Sequence, residues 1–391
     1  MDDGNGPRRL RCPACARTTL DRWRCRCGEP LAFAEPPIPE HGPPAPGDID
    51  ARNGLWAFEQ LLPVGADPRD RVTLGEGMTP LVDAPEWGAS FKLEYVFPTG
   101  SFKDRGATTT LTRAVELGVD RVVEDSSGNA GAAIATYAAR AGIDAEIYVP
   151  AAVAEGKLRA IRRAGATPVR VPGDRAAVTE ACLAAIGGGE GEGGEPNAAD
   201  DTGGDGGTDA WYASHAWNPA FFEGTATFAY EVAFASDWTA PDAVVTPLGH
   251  GTLFLGAYWG FRRLHRAGWI DDIPRLYGVQ AAGIAPIVRE LHGPEAADPD
   301  GTIAEAADGI QIAEPVRSEG VLAAIRGTGG DAIAVGADDL SDELDRLHAA
   351  GFYTEPTCAV APAALTILRE RGEIGPDEEV VVPLTGSGLK K

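Results

Sequence analysis

Three times in this chain a short run of mostly β-branched residues ends in a loop of glycine and small hydroxyl residues. Val122-Val123 leads into Glu124-Asp125-Ser126-Ser127-Gly128-Asn129, and an alanine-rich helical pattern follows. Ala243-Val244-Val245-Thr246 leads into Pro247-Leu248-Gly249-His250-Gly251-Thr252, where another helical pattern opens. Val380-Val381-Val382-Pro383 leads into Leu384-Thr385-Gly386-Ser387-Gly388. A strand that turns through a small loop into a helix leaves the first helical N–H groups without internal partners. A phosphate or carboxylate satisfies them. One such loop is weak evidence, since many are only tight connections. Strand and helix patterns that alternate along the chain specify an α/β fold, with parallel sheets covered by helices.

A fourth segment, Pro98-Thr99-Gly100-Ser101-Phe102-Lys103-Asp104-Arg105-Gly106, sets one lysine between a turn and a helix start. The 34 basic side chains include only five lysines (Lys92, Lys103, Lys157, Lys390 and Lys391), which leaves 29 arginines. A chain that otherwise prefers arginine has lysine here, where small neighbours let the backbone approach a ligand. Arginine cannot replace lysine in a Schiff base, because only a primary amine condenses with an aldehyde. The alternative is a surface lysine at a helix start.

The chain has 391 residues, a length that suits two domains and an appendage. Its formal net charge is −24, while 44% of its residues are hydrophobic. That combination describes a folded body with a solvated acidic surface, expected as an adaptation to high salt. The charge argues against nucleic acid or an anionic membrane as partner. No apolar run approaches the length of a membrane span and no signal peptide is visible, so a cytoplasmic enzyme is expected.

Cys12-Pro13-Ala14-Cys15 and Cys25-Arg26-Cys27-Gly28 form two knuckles near the N-terminus. Four thiols in so short a span suit a tetrahedral zinc site with Cys12, Cys15, Cys25 and Cys27 as ligands. A disulfide or an unmetallated loop is the alternative. Arg8, Arg9, Arg11, Arg17, Arg22, Arg24 and Arg26 surround the knuckles. They fit a ribbon docked on the protein's own acidic body or on a second subunit, or else a small nucleic-acid-binding or partner-binding ribbon.

The order SFKDRG, SSGNAG, PLGHGT, LTGSGLK resembles the tryptophan synthase β family of pyridoxal-phosphate enzymes, also called fold type II. The segment Gly75-Glu76-Gly77-Met78-Thr79-Pro80-Leu81 and the TGSGLK ending look most like threonine synthases, some of which carry an N-terminal metal ribbon. The resemblance covers roughly residues 70 to 390. It implies a two-domain pyridoxal 5'-phosphate enzyme, in which Lys103 forms the Schiff base and later moves protons. It implies that Asn129 bonds the cofactor's phenolic oxygen and that Ser126, Ser127 and Gly128 hold the substrate carboxylate. Gly249, His250, Gly251 and Thr252 would cradle the cofactor phosphate. Thr385 would face the pyridine nitrogen; a neutral hydroxyl there leaves the ring a milder electron sink, which favours elimination and replacement. A homodimer acting on a small amino acid is also implied.

The expected organisation is a ribbon over residues 1–30 and a proline-rich linker over 31–47. A large domain over 48–107 and 215–391 and a small mobile domain over 108–214 follow. Gly187 to Asp209, rich in Gly, Asp and Glu, should be a disordered insertion without a catalytic role.

Threonine synthase releases the phosphate of phosphohomoserine, and a doubly charged phosphate calls for a bidentate arginine. In Asn218-Pro219-Ala220-Phe221-Phe222-Glu223-Gly224-Thr225-Ala226-Thr227, Phe221 stands where the family pattern NPxRxEGxKT has arginine, and Ala226 where it has lysine. Ser387 stands where histidine is more usual. His215 and His250 could bind an anion or move a proton, or could be packed, hydrogen-bonded histidines. The readings are therefore a threonine synthase that uses another cation, or a sister enzyme such as a serine/threonine dehydratase or a cysteine- or cysteate-forming replacement enzyme. The remote third is a non-catalytic PLP-binding protein.

Overall fold

The computed structural model describes residues 7–186, 210–298 and 303–390; the acidic insertion at 187–209 lies outside the described residues. The chain begins with strands β1 (Leu10–Arg11), β2 (Thr18–Thr19) and β3 (Ala32–Phe33), then β4 (Leu81–Ala84) and β5 (Ala89–Lys92). Next come α1 (Lys103–Glu116), β6 (Arg121–Glu124), α2 (Asn129–Ala141), β7 (Asp144–Pro150), α3 (Glu155–Arg163), β8 (Thr167–Val171), α4 (Arg175–Ala185) and β9 (Trp211–Tyr212). The C-terminal half runs α5 (Pro219–Ala235), β10 (Ala243–Pro247), α6 (Thr252–Arg266), β11 (Arg275–Ala281), α7 (Pro286–His292) and α8 (Pro294–Ala297). It closes with α9 (Ser318–Thr328), β12 (Asp331–Val335), α10 (Ala337–Ala349), α11 (Pro356–Glu370) and β13 (Val380–Pro383).

The chain divides into two compact units. The first comprises Met1–Pro37, Leu61–Leu74 and Lys103–Gly224; the second comprises Ile38–Gln60, Gly75–Phe102 and Thr225–Lys391. The cysteine ribbon is thus part of the first unit, and its third strand lies beyond residue 30, where the ribbon was expected to end. β3 pairs antiparallel with β1, Leu10 opposite Phe33, so the ribbon's small sheet runs β2-β1-β3.

The main sheet of the first unit runs β8-β7-β6-β9 and is parallel throughout. Its strands carry Val122, Val123, Ile147 and Val149, all fully buried, which fits a parallel sheet covered on both faces. Ala107, Leu111, Ile134, Tyr137 and Phe221 pack with Val122 and Ile147 in one core. Helix α2 is rich in alanine, the best helix former, and stops at Gly142, whose φ of 72° closes the last turn.

The second unit's sheet runs β12-β11-β10-β13-β5-β4, parallel except for the β4–β5 edge pair. Central β10 is buried at every position and pairs on both sides, with Val244 opposite Leu276 and Val381. Val245, Val279, Val382 and Phe91 join Val360 and Leu365 of α11 in the core of this unit.

Candidate active site

In the first unit, β6 delivers the chain to the polar loop and α2 starts at Asn129. Gly128 caps the helix without a side-chain hydrogen bond, and its N–H donates to Ser126 Oγ at 3.3 Å. Ser126, Ser127, Gly128 and Asn129 are all partly exposed, although Glu124, Asp125 and Ala130 on either side are buried. The loop doubles back over the first turn of α2. A Cβ on Gly131 would lie 1.8 Å from the Ser126 carbonyl oxygen, so only glycine allows this close turn. Lys103 is the first residue of α1 and is half-buried. Tyr137 Oη of α2 donates to Asp104 Oδ2 at 3.4 Å, tying the two helices together one residue beyond the lysine.

The residues just before the loop are unusually charged for a buried strand end. Burial pushes the Glu124 carboxyl well above its ordinary range, and neighbouring Asp125 pushes the same way; Arg175, His215 and Lys103 pull against them. Glu124 Oε1 lies 2.7 Å from His215 Nδ1, and His215 is itself 6% exposed. Asp125 is a hub: Thr179 Oγ1 donates to Oδ2 at 2.6 Å, Tyr212 Oη to Oδ1 at 3.0 Å, and Arg175 Nη2 to Oδ2 at 2.9 Å. Sequence reasoning missed Asp125 and Arg175. The only signal was the acidic pair at the strand end, and its partner is remote in the chain.

Phe221 lies in the core of this unit, fully buried. Its ring crosses α1 so closely that a Cβ on Gly106 would sit 2.0 Å from Phe221 Cδ1, and it meets the His215 ring edge-on at 6.1 Å between centroids. The position where a phosphate-binding arginine was sought is therefore apolar and interior.

In the second unit, β10 runs through Leu248, Gly249 and His250 to Gly251, whose φ is +79°, and α6 starts at Thr252. Thr252 Oγ1 is buried and has no hydrogen-bond partner among the described residues. Such a hydroxyl, at the start of a long helix whose capping residue has no side chain, matches the needs of a phosphate oxygen. After β13, Phe102 N–H donates to the Thr385 carbonyl at 3.0 Å, and Ser387 N–H donates to Gly100 O at 2.9 Å. Two of the sequence motifs are thereby paired, and Phe102 is the residue immediately before Lys103. Cys358, near the start of α11, lies 3.4 Å from Thr385 Oγ1 and accepts the Gly386 N–H at 3.1 Å. Burial pushes its thiol up to about 12, so it stays neutral beside the hydroxyl. Within this unit, the orphaned Thr252 hydroxyl suits a phosphate oxygen and the neutral Thr385 hydroxyl suits a ring nitrogen, the two polar ends of a pyridoxal phosphate.

The four ribbon cysteines converge, with all their sulfurs within 4.8 Å of one another. Cys12–Cys27, Cys15–Cys25 and Cys27–Cys15 are 3.6, 3.5 and 3.7 Å apart. A tetrahedron of thiolates at the usual zinc–sulfur distance has edges of about 3.8 Å, so the set fits a zinc ion. The ribbon packs on its own unit. Arg113 of α1 donates to the carbonyls of Arg8 and Leu20 at 2.8 and 2.9 Å, and Trp211 Nε1 donates to Asp21 Oδ2 at 2.6 Å. Trp23 stacks edge-on against Tyr212 and Trp217, at 5.7 and 5.0 Å. All seven ribbon arginines remain exposed.

A family model described as "Pyridoxal-phosphate dependent enzyme" matches residues 72–386. Threonine synthase of Methanosarcina acetivorans is 33% identical over 350 residues, covering 86% of this chain and 80% of the relative. Threonine synthase of Methanocaldococcus jannaschii is 34% identical over 351 residues, with 86% and 80% covered. That of Mycobacterium tuberculosis is 33% identical over 364 residues, with 91% of each chain covered. Among solved structures, a fungal L-serine ammonia-lyase from Rhizomucor miehei aligns with TM-score 0.63 and 20% identity over 79% of this chain and 93% of that one. Threonine deaminase isoform 2 from Solanum lycopersicum aligns with TM-score 0.63 and 19% identity over 93% and 91%. At that identity these two establish the fold and nothing finer.

Proposed function

We propose that this chain, which belongs to the family of pyridoxal-phosphate-dependent enzymes, is a threonine synthase that converts O-phosphohomoserine and water to threonine and phosphate. The observation that carries the reading is the match to threonine synthases across 86–91% of the chain.

The cofactor, when bound, supplies an aldehyde for a lysine and a conjugated ring that withdraws electrons from the substrate carbons. The protein's own residues do the rest. Lys103 Nζ holds the cofactor and afterwards carries protons between substrate carbons, a task suited to an amine held partly out of water. Ser126, Ser127 and Gly128 offer hydroxyls and backbone N–H groups to the substrate carboxylate. Asn129 would donate to the phenolic oxygen. Gly249, His250, Gly251 and Thr252 would hold the cofactor phosphate, which would give the buried Thr252 hydroxyl its partner. Thr385 would offer the ring nitrogen a neutral hydroxyl, beside which the neutral Cys358 thiol lies at 3.4 Å. Cys12, Cys15, Cys25 and Cys27 would hold zinc as a structural element.

One observation favours a second reading. Phe221 puts an apolar ring where a phosphate-binding arginine was expected. A dehydratase or a β-replacement enzyme with a smaller leaving group would not need that charge. Product analysis decides between them. Phosphate and threonine released together from O-phosphohomoserine support the first reading. A ketoacid formed from serine or threonine, with no action on O-phosphohomoserine, supports the second.

A further inference from the structure

A threonine synthase must hold a substrate phosphate, and position 221 supplies no charge for it. We propose that Arg175 is the residue that binds the substrate's phosphate, an inference that rests on the threonine synthase reading.

Arg175 is the first residue of α4, just after β8. The Ser126–Asn129 loop follows β6, and Ser214 and His215 follow β9. All three segments therefore leave the same, carboxyl-terminal edge of one parallel sheet, the edge at which open parallel sheets take their ligands. The guanidinium is fixed at that edge. Nη1 donates to the main-chain carbonyl of Asp125 and Nη2 donates to its Oδ2 at 2.9 Å, and Asp125 is the residue immediately before Ser126.

The burial of the two partners differs sharply. Asp125 is 3% exposed at its side chain, whereas that of Arg175 remains 50% exposed. Thr179 and Tyr212 also donate to the Asp125 carboxylate, so Asp125 is an anchor held from several sides, and Arg175 is the group it presents. Two of the fork's five N–H groups are spent on the anchor. The geometry of the rest suits phosphate oxygens, which a planar guanidinium binds in pairs. Asp125 is the one carboxylate that pairs with the fork, and burial holds the next acid, Glu124, toward its neutral form beside His215. Arg105 and Arg113, also in this unit, are fully buried and do not present a comparable exposed fork.

The test uses holoenzyme and the variants Arg175→Ala and Arg175→Lys. With O-phosphohomoserine, the alanine variant should show KM raised roughly 10- to 100-fold with a much smaller change in kcat. That range corresponds to the loss of charge-assisted hydrogen bonds. Inorganic phosphate should inhibit the alanine variant more weakly by a similar factor, and the lysine variant should recover part of both. Binding of L-threonine, which has no phosphate, is read from the visible spectrum of the bound cofactor and should change little. An unchanged KM and an unchanged phosphate inhibition constant in Arg175→Ala, with an active wild type, would overturn the proposal alone. Equal weakening of L-threonine and O-phosphohomoserine binding would also overturn it, since Arg175 would then only brace the loop. A wild type that releases no threonine from O-phosphohomoserine removes the threonine synthase reading, and this proposal with it.

Discussion

At single residues, function depends on side chains whose chemistry cannot be exchanged. Lys103→Ala should abolish the visible absorbance of lysine-bound cofactor and lower turnover by about a thousandfold or more, as loss of a proton-transfer group does. A fully active Lys103→Ala protein would contradict its role. Thr252→Val keeps the volume and removes only the orphaned hydroxyl. Cofactor affinity, measured by fluorescence titration of the apoprotein, should fall about tenfold. Glu124 gives a pH prediction whose sign follows from its raised carboxyl. A group raised in the folded state stabilises the fold below its unfolded value and loses that contribution as pH rises through the folded one. Glu124→Gln cannot ionise. Its Tm relative to wild type should therefore improve from pH 5 to pH 8, and a constant difference would show that Glu124 is not held neutral. Lys103 stands out in the sequence because lysine is scarce there. Arg175 does not, because its meaning depends on a contact with Asp125 across the sheet.

At the scale of elements, the strand–loop–helix units were legible because glycine and hydroxyl residues interrupt runs of valine in a way only a tight turn into a helix allows. Strand order was not. β13, the last strand in the chain, inserts between β10 and β5, a choice made by packing between distant segments and invisible to local pattern. The burial of Phe221 was hidden for the same reason, since it requires α1 to present Gly106 to it. The ribbon's knuckles were plain from cysteine spacing, but their anchorage through Arg113, Asp21 and Trp23 was not. That anchorage implies a consequence for metal removal. Purified protein should contain one zinc per chain by elemental analysis, and Cys25→Ser should lose it. Because Trp23 packs on Tyr212 and Trp217, loss of the metal should change tryptophan fluorescence. A metal-free wild type would refute the zinc site.

At the scale of the whole molecule, a net charge of −24 sets the conditions under which the fold holds. Repulsion among exposed carboxylates is screened over about 3 Å at 1 M salt, against about 10 Å at 0.1 M. Thermal melting should therefore occur at higher temperature in molar potassium chloride than in dilute buffer, and a Tm independent of salt would argue against a high-salt adaptation. Among the described residues no helix is long and apolar enough to cross a membrane. The family assignment extends over residues 72–386, so it is a property of nearly the entire body and not of one motif. A product assay of the holoenzyme with O-phosphohomoserine in high salt decides whether the protein is a threonine synthase. Threonine and inorganic phosphate should be released in equal amounts. No release from O-phosphohomoserine, together with a ketoacid formed from serine or threonine, would contradict that reading.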